Sequence, residues 1–360
     1  MKIAINTGGG DAPGLNAAIR AATLAAHKRG WEVVGIQNGY GSLYSDQPFI
    51  PLTPDKVRGI TMIGGTILGT ANRGNPFEMP YQKEDGSWGL DDRSDEVMEI
   101  FQEHGVEALI AIGGDGSMRI ADKLTKKGLN IVGIPKTIDN DIWGCDITLG
   151  FDTAVTTATE AIDKLTTTAE AHQRIMVVEV MGRYAGWIAL HSGLSASADV
   201  ILIPEIEYQF ESIVKKIKER ESNGRYYTIV VVAEGAVEVG KTHFVKGKTL
   251  GQSEQLGGAD EYIANKLSEL TGKESRSIVL GHLQRGGTPS TYDRLISLRF
   301  GANAIRAIEE KDFNKLVILK ENRIQRIPIS DVANKMKLVP LDGDTLQTAR
   351  DIGINFGDEH

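Results

Sequence analysis

Cysteine is almost missing from the sequence. Cys145 is the one thiol in 360 residues, so no intrachain disulfide can form and a reducing compartment fits. An excess of positive charge is missing as well. Lys and Arg number 40 against 48 Asp and Glu, a net charge of −8 with the two signs interspersed. Nucleic acids and anionic membranes favour basic surfaces, so neither is expected as a partner. No stretch approaches the roughly 18 apolar residues of a membrane span. The apolar run after Lys2 is too short for the core of a signal peptide, and the cytoplasm is the expected location. Short-period repeats and low-complexity tracts are lacking too.

What is present describes a globular chain with 41% apolar and 24% charged residues, long enough for two domains with sizeable cores. Apolar runs alternate with helical patterns. Strands are predicted at residues 1–6, 32–36, 108–112, 131–134, 175–180, 200–203 and 228–232, with helical stretches at 16–28 and 94–104. That alternation implies the α/β class with mainly parallel sheets. Residues 76–92 are polar, contain Gly86 and Gly89, and read as a loop insertion. A domain boundary is expected near residue 150.

An acidic protein that handles phosphate must gather its Arg and Lys locally, and the polar motifs here follow predicted strands. Residues 7–14, TGGGDAPG, open the first helix; Gly allows close backbone approach, and N–H groups at a helix start attract phosphate. A second Gly-rich turn, Gly113-Gly114-Asp115-Gly116-Ser117, sets a carboxylate where backbone amides converge. Asp115 suits magnesium, which takes few protein oxygens, or it caps the next helix. The segment PKTIDND at 135–141 carries Lys136, Thr137, Asp139 and Asp141. If extended, it presents both acids on one side, where a base and positive charge would serve phosphoryl transfer. Arg174, Arg183, Arg276, His282 and Arg285 are candidates for a sugar-phosphate pocket, since Arg binds phosphate with two parallel hydrogen bonds. Singly, each would be read as a surface ion pair or a satisfied structural residue.

Together the segments GGGDAPGLNAAIR, GGTILGTANR, IGGDGS, PKTIDND, HQRIMVVEVMGRYAG and VLGHLQRGGTPSTYDR, in order from Lys2 to about Ala307, resemble the 6-phosphofructokinase family. The resemblance implies two Rossmann-like three-layer α/β domains with the active site in the cleft between them. Residues 1–150 would form the nucleotide domain, rejoined by parts of 260–310. Residues 151–320 would form the sugar-phosphate domain, and 321–360 a C-terminal extension. ATP would lie over Gly10, Arg73, Gly114, Gly116 and Ser117, with Asp115 holding magnesium. Asp139 would be the base for the 1-hydroxyl of fructose 6-phosphate, with Thr137 and Asp141 positioning the reacting groups and Lys136 supplying positive charge. Met181, Gly182, Arg183 and Glu234 would contact the sugar, with Ile138, Leu283 and Gln284 beside them. His282 and Arg285 would grip the 6-phosphate. Family counterparts of Arg174 and Arg276 reach the sugar phosphate of a neighbouring subunit, which implies a homo-oligomer, most often a tetramer.

The family uses ATP or pyrophosphate. Its pyrophosphate enzymes commonly carry Asp at the position matching Gly116, in the place of the nucleotide α-phosphate, where like charges repel. Gly116 leaves that space open and favours ATP. Lys136 points toward pyrophosphate, although longer ATP enzymes of the family combine this Gly with this Lys; ADP also stays open as donor. The bacterial effector pocket is only partly matched: Arg20 is present, but Leu24, Thr166 and Asn223 replace its other cationic residues, so weak effector control is expected. NAD and lipid kinases share a GGDG loop but not PKTIDND or GHLQRGG. A non-catalytic nucleotide-sensing subunit would be expected to lose its base or metal ligand, and both Asp115 and Asp139 remain.

Overall fold

A computed structural model describes residues 1–71, 74–247 and 254–359. The chain builds two main sheets. The larger has seven strands, in the order Arg323–Pro328, Lys315–Lys320, Ile131–Pro135, Ala108–Gly113, Lys2–Thr7, Glu32–Gly35 and Ile50–Pro51. Its five central strands run parallel, and the two edges are antiparallel. The smaller sheet is parallel throughout, in the order Ser275–Val279, Ile175–Val180, Thr228–Ala233 and Val200–Leu202. Central strands such as ALIAIG and TIVVVA are buried along their whole length. Strands covered on both faces need continuous apolar runs, which is why they were legible.

The larger sheet changes winding direction between Lys2–Thr7 and Ala108–Gly113. In the smaller, the chain runs from Ile175–Val180 to the edge strand Val200–Leu202, returns to Thr228–Ala233 and ends beside its start at Ser275–Val279. The loops leaving such neighbours diverge and open a crevice at the carboxyl ends, where ligands bind in this fold class. The two Gly-rich turns leave the first pair. Residues 181–183 and 282–285 leave the second.

Two expectations need correction. Residues 76–92 are not a plain loop: Met79–Gln82 and Trp88–Asp91 pair as an antiparallel hairpin. Its Asp85-Gly86 turn is closed by the Lys83 N–H donating to Ser87 O at 2.8 Å and the Gly86 N–H donating to Lys83 O at 2.9 Å, with the Asp85 carboxylate accepting the Ser87 N–H at 2.9 Å. The strands are largely exposed, so they lack the apolar alternation that announces a half-buried strand. Second, the division at residue 320 falls inside a hairpin. Glu321 (φ 48°) and Asn322 (φ 59°) form a two-residue turn, so Arg323–Pro328 edges the larger sheet.

The segment 260–310 is split between the two sheets. Ser275–Val279 belongs to the smaller one, whereas helix Thr291–Glu309 packs on helix Leu15–His27 beside the larger. The chain then crosses again, and Asn355 pairs alongside Val200 in the smaller unit. Among the described residues no helix is long and apolar enough to cross a membrane.

Candidate active site

The first crevice is built from the two Gly-rich turns. Gly8 N–H donates to Ile112 O at 3.0 Å, joining the turns at their roots. Asp115 is the first residue of helix Asp115–Lys126. The helix is preceded by Gly114 and has no side-chain cap, so Asp115 is not the capping residue. Its carboxylate pairs with Arg119 one turn later. Burial pushes the Asp115 carboxyl up, against the opposing pull of Arg119 and Arg183. Gly116 is informative for what surrounds it. Its φ is ordinary, and a Cβ there would meet nothing closer than Arg119 Nη2 at 3.9 Å. The chain's own packing does not require glycine at 116, so the side chain's absence leaves open space beside the turn. Arg73 lies outside the described residues.

The segment 135–141 leaves the larger sheet next to this crevice. Lys136 N–H donates to Gly113 O at 3.0 Å, and its ammonium donates to Gly10 O. Burial, and then the Arg285 guanidinium, lower the Lys136 ammonium to about 7, while Asp139, Asp11 and Asp141 pull the other way. The extended geometry expected for 139–141 is not observed. Asn140 is left-handed at φ 54°, with its side chain bonded to Asp146 O at 3.2 Å and Thr148 N at 3.1 Å. Asp139 and Asp141 are neighbours through this turn instead. Burial, and next the charges of Asp139 and Asp115, push the Asp141 carboxyl up. Thr137 Oγ1 accepts from Asp139 N–H at 3.1 Å. Asp139 itself is buried, and its Oδ1 has no hydrogen-bond partner. A buried carboxylate oxygen left unbonded is costly and calls for a partner.

The second crevice supplies the opposite wall. Arg183, left-handed at φ 53°, donates its N–H to Glu234 Oε1 at 2.9 Å. Burial raises the Glu234 carboxyl to about 7, with the charges of Asp139 and Glu179 adding to it. Glu234 therefore feels the charge of Asp139 on the 135–141 segment. Arg285 Nη1 donates to Asp11 O at 3.1 Å, and its guanidinium occupies the place a Cβ on Gly10 would need. A side chain at 10 would therefore have to displace this guanidinium.

Several expected contacts take other parts. The Ile138 side chain is fully buried in the core and offers a ligand only its backbone. Gln284 is fully buried and accepts the Met181 N–H at 3.4 Å while donating to Gly281 O at 3.1 Å, so it braces the sugar loop from behind. Leu283 is 71% exposed and faces, with His282, Thr157 and Val279, an open hollow of about 770 Å³. Arg174 and Arg276 both bind Glu274, at the amino ends of strands Ile175–Val180 and Ser275–Val279. Residues 181–183 stand at the carboxyl end of the former strand. Six residues at about 3.3 Å each put roughly 20 Å between them. Within one chain these arginines do not join the site. Asp11 and Asp293 lie within the quoted segments but were not singled out there, and Lys337 lies in none of them.

Residues 2–308 match the profile of the family described as Phosphofructokinase. The chain is 48% identical, over 99% of its length and 98% of the other's, to the "ATP-dependent 6-phosphofructokinase 2" of Clostridium perfringens. It is 47% identical, over 94% of its length and 96% of the other's, to the "Pyrophosphate--fructose 6-phosphate 1-phosphotransferase" of Amycolatopsis methanolica. Among solved structures, Pichia pastoris phosphofructokinase in the T-state superposes with a TM-score of 0.79 at 32% identity, covering 98% of this chain and 36% of that longer one. Relatives named for either donor are about equally similar, so overall identity does not choose between donors.

Proposed function

The chain belongs to the phosphofructokinase family, and from that premise we propose that it transfers a phosphoryl group from ATP to the 1-hydroxyl of fructose 6-phosphate, giving fructose 1,6-bisphosphate and ADP in the cytoplasm. The observation that carries the reading is the unpartnered, buried Oδ1 of Asp139, set between two crevices that suit phosphates and a sugar. In the reaction the 1-hydroxyl oxygen bonds to the γ-phosphorus as the bond to the β,γ-bridging oxygen breaks. The electron pair leaves with ADP, and Asp139 takes the hydroxyl proton. Lys136 and Arg285, both beside Gly10, supply positive charge where the migrating group would pass. Thr137 holds the backbone of Asp139, and Arg183 with Glu234 frames the sugar.

The donor set suits magnesium. Burial first, and then the charges of Asp139 and Asp115, raise the carboxyl of Asp141, and a divalent cation would relieve the crowding of charge. Among the described residues no group of three or more acidic, His or Cys side chains makes a closed metal cage. Magnesium does not ask for one, since it takes one or two carboxylates with phosphate oxygens and water. Asp115 would hold it, and the bound ion would neutralise charge on the phosphates.

Gly116 supports ATP over pyrophosphate, because the space beside it is open and no carboxylate fills it. Lys136 supports the alternative of a pyrophosphate donor. A homo-oligomer accompanies the reading. Arg174 and Arg276 sit on the wrong end of the sheet for their own site, and Val279 (46%) and Leu283 (71%) lie exposed on or just beyond the same edge strand. We read this edge as covered by a second copy whose site receives the two arginines.

Changing Asp139 to Ser tests the assignment. Formation of fructose 1,6-bisphosphate should fall by about three orders of magnitude or more, while nucleotide binding by calorimetry stays within a few-fold. Turnover equal to the parent's would refute its role as base.

A further inference from the structure

The C-terminal segment beyond the family match passes directly over the back of the catalytic turn. Met336 bridges Ile142, and Lys337 N–H donates to Asp141 O at 2.8 Å. The Lys337 ammonium donates to Cys145 O at 2.6 Å and Asp146 O at 2.9 Å, on the same turn. The other side of the residue grips the sugar-binding unit. Trp187 Nε1 donates to Lys337 O at 2.8 Å, and the ammonium stands 4.9 Å from the centre of the Trp187 ring. Two residues on, Val339 N–H donates to Glu205 Oε1 at 2.8 Å, and the same carboxylate accepts the Gly186 N–H. Gly186 and Trp187 begin the helix Trp187–Ser195, just after residues 181–183.

One residue therefore holds both walls of the cleft, with every polar group it owns engaged. Its ammonium binds carbonyls and a ring face rather than a carboxylate; Lys320 takes the carboxylate of Asp146. Enclosing an ammonium is costly unless the geometry of its partners returns the loss. Here the partners are the backbone of the turn that carries Asp139 and Asp141.

We propose that Lys337 is a positioning residue. It ties the turn at 139–146 to the start of helix Trp187–Ser195 and so sets the distance between the proton acceptor and the sugar loop. It touches no reacting atom. The inference rests on the reading of Asp139 as base.

Lys337→Met keeps the length and the apolar stem over Trp187 but removes the donors. In the full-length protein, kcat should fall about 10- to 100-fold with the KM for the donor within about twofold, since small displacements of reacting groups have such effects. Hydrogen exchange of amides in 137–149 should quicken at least about tenfold, with the rest of the chain unchanged. Lys337→Arg, which can reach both carbonyls, should recover most of kcat. Should Lys337→Met disturb folding broadly, Trp187→Phe removes only one of the ties and should give the same split between kcat and KM. A parental kcat in Lys337→Met, or a slowed enzyme with unchanged exchange in 137–149, would overturn the proposal. A parent without phosphotransfer would sink the functional reading instead, and the exchange measurement would still decide whether Lys337 holds the turn.

Discussion

At the scale of single residues, the site holds ionisable groups at a cost to the fold. Glu234 shows the sign of it. Its carboxyl ionises near the ordinary 4.5 in the unfolded chain but near 7 in the folded one, because of burial first and neighbouring acids second. Between those values the folded state binds more protons. The stability this group contributes is whole below about pH 4.5 and is lost as pH rises through 7. Glu234→Gln keeps an acceptor for the Arg183 N–H and carries no charge. It should raise stability at pH 8 by about 2 kcal/mol, read from urea midpoints, and change little near pH 4.5. The sugar should bind less well in the same variant. An equal gain at both pH values would mean that packing, not charge, separates the two proteins.

At the scale of elements, the helix Phe151–His172 depends on another helix for its start. Gly150 precedes it without a capping side chain. Asp293, from Thr291–Glu309, accepts the N–H groups of Gly150 and Thr153 at 2.8 Å each and the Thr153 hydroxyl at 2.5 Å. This anchors the chain just after the turn at 139–146. Asp293→Ala leaves buried donors unpaired and should cost about 3 kcal/mol in urea unfolding; a loss below about 0.5 kcal/mol would show that the anchor is dispensable.

The elements also show where sequence reading succeeds. Fully buried strands ending in glycine, such as ALIAIG before Gly114, announce themselves because burial on both faces demands apolar runs and phosphate turns demand glycine. The exposed hairpin at 79–91 carries neither signal. The left-handed Asn140 replaced an extended segment by a turn, yet the two acids still met, since the turn folds them back together. Ile138 and Gln284 were expected to contact the sugar but their side chains are buried, and side-chain direction within a loop has no period to read. The tie at Lys337 joins segments almost 200 positions apart in the chain, a relation that only the folded backbone supplies.

At the scale of the whole molecule, the proposed oligomer would make the two arginines bound to Glu274 part of a neighbour's chemistry. If Arg276 serves a neighbour's site, a subunit carrying Arg276→Ala and one carrying Asp139→Ser are each inactive alone but complement in a mixed oligomer. Random reassociation at equal amounts should restore about a quarter of parental activity, because half of the pairs are hybrids and one of their two sites is intact. No recovery after mixing would assign Arg276 to its own subunit.

The most direct test of the account is the donor. Purified protein would be given fructose 6-phosphate and magnesium with ATP, ADP or pyrophosphate in turn, alongside the Gly116→Asp variant. The account predicts rapid formation of fructose 1,6-bisphosphate with ATP and none with pyrophosphate, and loss of the ATP reaction in the variant as a carboxylate fills the open space beside the turn. Dominant turnover with pyrophosphate in the parent would contradict it and would make Lys136, rather than Gly116, the residue that selects the donor.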